Sequence, residues 1–272
     1  MPLTRLQHLI LSVIASNRDA ESFVAGGTVI QKDGIRRSRD IDIFHDREER
    51  LRAACRADIA SLRSAGLEVD VPLDSPTFVR AIVTDGTAKT KVEWVIDSDF
   101  RFFPAIADEL FGFVLHPIDL ATNKIMAAAS RVEVRDAIDL LWIDEHVQPL
   151  GAVAWAAVEK DPGWLPDGVL SNLRWRCRYQ DYHLAEEDLL VEITAADLNN
   201  RLRDKIAHAE VLIRALPRSL PYGALLRPDG GLAQPDPDRP ETLEGLVVHH
   251  GSRKGAWPSS PEISSVMLRE RS

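Results

Sequence analysis

The 272-residue chain is 45% hydrophobic and 28% charged, a balance that suits a globular protein with a sizeable core and excludes wholesale disorder. Its formal net charge of −9 and pI near 5.4 argue against a surface built mainly for nucleic-acid phosphates, although an acidic body can carry a local basic patch. Its two cysteines, Cys55 and Cys177, lie far apart and outside any metal-spaced Cys or His motif, so free thiols in a reducing cytoplasm are expected.

The first predicted element is an amphipathic helix over 4–17. Leu6, Leu9, Ile10, Val13 and Ile14 recur at helical spacing, while Gln7 and His8 interrupt the run, which reads against an export signal. No window of about 18 residues is apolar and uncharged, so no membrane span is expected and a cytoplasmic location follows. Ser22–Val24 reads as a strand entering Gly26, Gly27 and Thr28. Glycines let backbone N–H groups approach a polyphosphate, because no Cβ intervenes and positive φ is open to them. Thr28 adds a hydroxyl. Lys32-Asp33-Gly34 marks a turn, and Arg36 to Arg39 lead into a strand carrying Asp40 and Asp42. Side chains two apart on a strand share a face, so both carboxylates point one way while Ile41 and Ile43 point into the core. Two carboxylates at one strand end suit a hard divalent cation such as Mg²⁺.

A helix over 47–65 follows and stops at Gly66, a residue suited to the position just past a helix end. Its Arg47, Arg50, Arg52, Arg56, Arg63, Glu48, Glu49 and Asp58 read as a solvated mixed-charge face. Strands are predicted over 67–71, 77–84 and 89–96, with Asp85-Gly86 as a hairpin turn. In the last strand Val92, Trp94 and Ile96 share one face, and Lys91, Glu93 and Asp97 share the other. Pro117 opens a helix over 117–130. There Lys124 and Arg131, seven apart, can face one anionic substrate, and Ala127-Ala128-Ala129-Ser130 is small enough for the helix to lie hard against the sheet. In a helix over 133–146, Arg135 and Asp139 stand at i, i+4 and are expected to pair on the surface. Residues 150–216 read as mostly helical, broken at Asp161-Pro162-Gly163 and ending in a long helix around 195–216. Arg174-Trp175-Arg176-Cys177-Arg178-Tyr179 interleaves cations with aromatics; a solvated amphipathic helix is the favoured reading and an RNA-facing patch the alternative. The tail from Pro217 holds half of the chain's sixteen prolines, a hairpin-like run over 225–231, and an end expected to be loose after Trp257.

A glycine pair with Thr, followed after about a dozen residues by Asp-x-Asp, resembles the signature of the DNA polymerase beta-like nucleotidyltransferase superfamily. Gly26-Gly27-Thr28 joined to Arg36-x-Ser38-x-Asp40-Ile41-Asp42-Ile43-Phe44 resembles the AbiEii/AbiGii toxin family of type IV toxin–antitoxin systems. The run DLATNKIMAAASRVEVRDAIDLL over 119–141 is similar to that family's downstream pattern of Asp-Leu, Lys, a small-residue helix, Arg, then Arg-Asp and Asp-Leu.

The resemblance implies an α+β nucleotidyltransferase fold. A mixed sheet flanked by helices would form a catalytic domain over 1–148, with a mainly helical region over 149–216 and a Pro-rich hairpin and tail over 217–272. It implies Mg²⁺-dependent transfer of a nucleoside monophosphate from an NTP to an acceptor hydroxyl, with a toxin acting on tRNA 3′ ends as the leading reading and a cognate antitoxin as partner. Asp40 and Asp42 would hold the metal. Glu93 would be the third carboxylate, as metal ligand or base, with Asp97 as runner-up; relatives more often carry Asp there, so Glu93 is a departure. Gly26, Gly27 and Thr28 would cradle phosphates, with Arg36 and Ser38 completing the substrate-binding motif. Lys124 and Arg131 would contact the substrate, and Asp136, in the Arg-Asp position, would be catalytic. The alternatives are the same chemistry on a protein or small-molecule hydroxyl, and a nucleotide-binding relative without turnover.

Overall fold

Thr4 starts helix α1 (Arg5–Ile14) with a capping box: its hydroxyl accepts from the Gln7 N–H while the Gln7 side chain accepts from the Thr4 N–H. In this computed structural model, which describes residues 3–258, the chain then runs through β1 (Ser22–Ala25), the single turn α2 (Gly27–Ile30), β2 (Asp40–His45) and α3 (Glu48–Ser64). Strands β3 (Glu68–Ser75), β4 (Phe78–Thr84) and β5 (Lys89–Ile96) follow. After β6 (Phe100–Arg101), which belongs to a second unit, β7 (Ile106–Asp108) and β8 (Gly112–Val114) complete a seven-stranded sheet of order β3-β4-β5-β2-β1-β8-β7. The pairs β2–β5 and β1–β8 are parallel and the rest antiparallel, the mixed sheet that the sequence led one to expect. Asp188–Leu190 joins this first unit by backbone bonds, Arg37 N–H to Asp188 O at 2.9 Å and Leu190 N–H to Ile35 O at 2.8 Å.

Alternation along the strands builds the core. Ile41, Ile43, Val92, Trp94, Val79, Ala81 and Val83 are buried on one face with Leu6, Ile10, Leu11 and Ile14 of α1 and Leu51, Cys55 and Leu62 of α3. Each fully buried side chain of this size contributes on the order of 1.5–3 kcal/mol. An ion pair enters that core. Asp58 was expected on a solvated helix face, but it is fully buried: the Arg18 guanidinium pairs with it at 2.5 Å, the Trp94 indole N–H donates to it at 2.7 Å and Asn17 at 2.8 Å. The position is legible only with the sheet in place, because Arg18 lies 40 residues away along the chain.

The second unit holds α4 (Pro117–Ser130), α5 (Val134–His146), α6 (Leu150–Lys160), α7 (Pro166–Arg176), the single turn α8 (Asp181–Leu184) and α9 (Ala195–Ala215). Helix α4 packs against α5, α6 and α7, so its small residues serve helix–helix contact where the sequence suggested contact with the sheet. Helices α4 and α5, expected to close the first domain at residue 148, thus belong with the helices that follow. Gly151 lets α6 approach α9 closely; a Cβ there would lie 2.9 Å from the Ala209 carbonyl oxygen. In the tail, β9 (Ala224–Leu226) pairs antiparallel with β10 (Val247–His249), and β11 (Ser252–Arg253) with β6. The run over 225–231 forms a tight turn, with Arg227 N–H bonded to Gly231 O. Gln148 anchors it by donating to the carbonyls of Leu225 and Ala233 at 2.8 and 2.7 Å. The loose end expected after Trp257 lies almost wholly outside the described residues. Among the described residues no helix is long and apolar enough to cross a membrane.

The same core carries a pH signature. His45 is fully buried at the end of β2, with Nε2 3.0 Å from the Ser22 hydroxyl. Burial, and then the charge of Arg18, push its pKa down from 6.5 to about 3. The folded protein therefore holds this ring neutral while the unfolded chain protonates it, so its contribution is complete above the unfolded value and is lost as pH falls from about 6.5 towards 3. Between pH 7 and 5.5, above the carboxylate range, stability should drop by about 1 kcal/mol from this group. Urea unfolding of wild type and His45→Gln checks it: the variant should lose that slope, and an equal slope in both would refute the assignment.

Candidate active site

The one-turn helix α2 and strand β2 meet at two glycines. Gly26 has φ +74°, a left-handed value that glycine adopts without strain, and a Cβ on it would lie 2.4 Å from Asp42 Oδ2. A Cβ on Gly27 would lie 2.3 Å from an Arg36 guanidinium nitrogen. The two glycines are therefore the residues whose missing side chains admit Asp42 and Arg36. Thr28, also buried, donates its hydroxyl to the Asp40 carbonyl, which ties the turn to the strand.

Along β2, Asp40 and Asp42 share the face opposite the core while Ile41 and Ile43 fill the core. Ser38 orients Asp40, its hydroxyl donating to Oδ1 at 3.0 Å, and the Ser38 carbonyl is held by the Gln7 side chain at 2.7 Å. The parallel register of β2 with β5 sets Asp40 beside Lys91 and Asp42 beside Glu93, and β4 adds Arg80 beside Glu93. Asp97 lies four residues beyond Glu93, about 13 Å along the strand direction. Its side chain accepts from the Ser98 N–H.

Two cations sit among these carboxylates. Lys91 Nζ is 3.0 Å from Asp40 Oδ2 and 3.2 Å from Glu93 Oε1, and Arg80 Nε donates to Glu93 Oε1 at 2.7 Å. Burial works against the Lys91 charge, but Asp40 and Glu93 outweigh it and hold its pKa above the ordinary lysine value. Neither Lys91 nor Arg80 was singled out from the sequence as a site residue. The alternation that put Lys91 and Glu93 on one face was legible; the pairing that sets Lys91 against Asp40 was not.

Lys124, Arg131 and Asp136 lie in the second unit and bind one another. Lys124 Nζ is 2.8 Å from both Asp136 Oδ1 and Asp139 Oδ2, and Arg131 Nε donates to Asp136 Oδ2 at 2.7 Å. Both carboxylates are fully buried. Lys124 and Arg131, expected to face one anionic substrate, both pair with the Asp136 carboxylate. Asp139, expected on the helix surface, is fully buried and faces Lys124, and Arg135 Nε lies 3.7 Å from Glu133 Oε2. Burial opposes ionisation of Lys124 and of Asp136. For Lys124 the carboxylates of Asp139 and Asp136 outweigh it and raise the pKa, and for Asp136 the Arg131 bond and the Lys124 charge outweigh it and lower the pKa.

Around 174–179, Arg174 pairs with Glu210 at 2.8 Å, Tyr179 is buried, and the Arg178 guanidinium stacks 5.5 Å from the ring of Trp175, which is 73% exposed. Among the described residues, the group of three side chains closest to a metal-holding arrangement is His208, Asp236 and Asp238, where Asp236 already accepts from Arg239 at 2.8 Å. Asp40, Asp42 and Glu93 do not close into such a trio.

No family model matches the chain, and no curated protein matches it in sequence. Two solved structures resemble it. MenT4, a nucleotidyltransferase toxin from Mycobacterium tuberculosis H37Rv, aligns over 75% of this chain and 82% of its own, with a TM-score of 0.55 and 16% identity. A protein from H. pylori assigned as a nucleotidyltransferase aligns over 76% of this chain and 98% of its own, with a TM-score of 0.41 and 17% identity. The likeness to MenT4 is one of fold: the chain has the α+β nucleotidyltransferase architecture.

The Lys124 cluster yields a stability test. Lys124→Met leaves two buried carboxylates short of a counter-charge and should destabilise the protein by about 3–5 kcal/mol in urea unfolding. Adding Asp139→Asn should restore part of that loss. If the single variant unfolds like wild type, the cluster does not hold the unit together.

Proposed function

We propose that the chain is a nucleotidyltransferase that moves a nucleoside monophosphate from an NTP to an acceptor hydroxyl with a divalent cation, and that it acts as a toxin on tRNA 3′ ends. The observation that carries this reading is the contact between Asp42 and Gly26. Asp42 Oδ2 lies 2.4 Å from where a Cβ on Gly26 would be, which supports a cation position beside the phosphate position. The MenT4-like fold supports the reaction class, and the toxin reading rests on that likeness together with the two sequence blocks.

Asp40 and Asp42 offer hard oxygen donors on one strand face, which fits Mg²⁺ better than a soft metal. When bound, such a cation acidifies the acceptor hydroxyl and offsets charge on the departing pyrophosphate. The chain's own residues do the positioning. Ser38 and Lys91 fix the Asp40 carboxylate from two sides, Thr28 locks the glycine turn to β2, and Gly26 and Gly27 would cradle the β and γ phosphates. Arg36, buried against Gly27, supports the turn from below. In the second unit, Asp136 holds Lys124 charged and draws in half-exposed Arg131, whose guanidinium is the part of that cluster nearest solvent and the proposed phosphate contact. Positioning and charge stabilisation carry most of the acceleration in such transfers.

A protein or small-molecule acceptor is the second reading, favoured by the net charge of −9, which suits polyanionic RNA poorly. A cognate antitoxin and a cytoplasmic setting accompany the first.

Each α-labelled NTP, offered with Mg²⁺ to total tRNA, to a protein pool and to small-molecule hydroxyls, separates the readings by the fraction that takes the label. Asp42→Ala should lower transfer by at least about 10³-fold, in line with loss of a principal electrostatic group, with an unchanged unfolding transition. Full transfer by that variant in a metal-replete assay would sink the site.

A further inference from the structure

Arg80 stands on the polar face of the sheet, on the far side of Glu93 from the glycine turn. The strand order β4-β5-β2-β1 lines up Arg80, Glu93, Asp42 and Ala25 across the sheet, and Gly26 follows Ala25 directly. Adjacent strands lie about 4.8 Å apart, so the Arg80 backbone is about 10 Å from that of Asp42, on the side away from the glycines. Arg80 Nε donates to Glu93 Oε1 at 2.7 Å, and the guanidinium carbon lies 5.3 Å from the centre of the Phe78 ring, two residues earlier on the same strand face. The side chain is 40% exposed, against 12% for Glu93. Nε–H is one of five guanidinium donors, and among the described residues no acceptor takes the four on the terminal nitrogens. Glu93 is also met by Lys91 at 3.2 Å, so Arg80 is not its only counter-charge.

Taking the nucleotidyltransferase reading as its basis, we infer that Arg80 binds the acceptor, and that the group it takes is the phosphate on the 5′ side of an RNA acceptor's terminal nucleotide. In the proposed transfer the acceptor oxygen bonds the α-phosphorus as the bond from that phosphorus to the pyrophosphate oxygen breaks, and the hydroxyl proton leaves to solvent. The entering and departing oxygens stand roughly in line on opposite sides of the phosphorus. With the β and γ phosphates on the glycine turn, the acceptor therefore reaches Asp42 from the side of β5 and β4. A nucleotide that offers its 3′-hydroxyl there carries its 5′ phosphate one sugar further out, in the direction of Arg80. The guanidinium fork matches a phosphate bidentately, and Glu93 and Phe78 hold it in place before the acceptor arrives. Glu93 is then a positioning residue for Arg80. A protein hydroxyl or an uncharged small molecule brings no anion to that place, so this corner of the site favours RNA.

Two short RNAs with a tRNA acceptor end, alike except that the last internucleotide linkage is a phosphodiester in one and a neutral methylphosphonate in the other, test this directly. Binding is followed by fluorescence anisotropy with Mg²⁺ and without NTP. Arg80→Gln should bind the phosphodiester RNA at least about tenfold more weakly than wild type, and its slope of log affinity against log salt should be shallower by about 0.7. The methylphosphonate should cost wild type a similar factor and cost Arg80→Gln little more. Arg80→Lys, which keeps the charge without the fork, should fall between, and it carries the test if Arg80→Gln does not fold. In label transfer, KM for the RNA should rise in Arg80→Gln while KM for the NTP stays as in wild type. An equal methylphosphonate penalty in wild type and Arg80→Gln, or wild-type affinity in that variant, would overturn the inference; label transfer to RNA would then leave the nucleotidyltransferase reading standing. Wild type that binds neither RNA also overturns the inference, and the reading falls with it only if no NTP label reaches tRNA, protein or small-molecule hydroxyls.

Discussion

The parallel pairing of β2 with β5 is the constraint on which the candidate site depends. It is a long-range contact: Asp40 meets a residue 51 positions later. Because side chains alternate along each strand, one choice of register sends Ile41, Ile43, Val92 and Trp94 into the core and gathers Asp40, Asp42, Lys91 and Glu93 on the other face. A slip by one residue would exchange the two sets. The apolar core therefore enforces the chemistry of the polar face, since burying a row of carboxylates in place of isoleucines is far costlier than any pairing gain.

Each unit also holds an ionic cluster in its interior. In the first, Asp58 is met by Arg18, Trp94 and Asn17; in the second, Asp136 and Asp139 are met by Lys124 and Arg131. Such groups bring little net stability compared with apolar replacements, but removing one partner is severe. Their value lies in fixing how elements meet. The second cluster also explains why α4 and α5 hold to each other: Lys124 on α4 reaches two carboxylates a single turn apart on α5.

Much of the candidate site was legible because its signals are local. Helix boundaries followed from Gly66 and Pro117, each of which acts within one turn. The shared face of Asp40 and Asp42 follows from strand geometry alone. The roles of Gly26 and Gly27 were read as openness towards phosphate, and the structure adds the packing reason, Asp42 and Arg36 pressed against them. Less local readings went astray. Asp58 and Asp139 look like surface charges by spacing, and only the elements packed over them reveal that they are buried. Asp136 and Asp139 did carry an unused signal, two carboxylates at i, i+3 on one face of their helix.

By itself the sequence determined the helices over 4–17, 47–65, 117–130 and 133–146 to within a few residues, the strands carrying Asp40–Asp42 and Lys91–Glu93, which strand face is apolar, and that glycines and carboxylates fall within one short stretch. Those properties rest on backbone geometry and burial preference over a few residues. Tertiary structure alone decided which charges meet. Lys91 between Asp40 and Glu93, Arg18 on Asp58, and Lys124 between Asp136 and Asp139 all depend on pairings whose strength comes from exclusion of water by the surrounding core. That exclusion is a property of the assembled fold, and no short window of residues contains it.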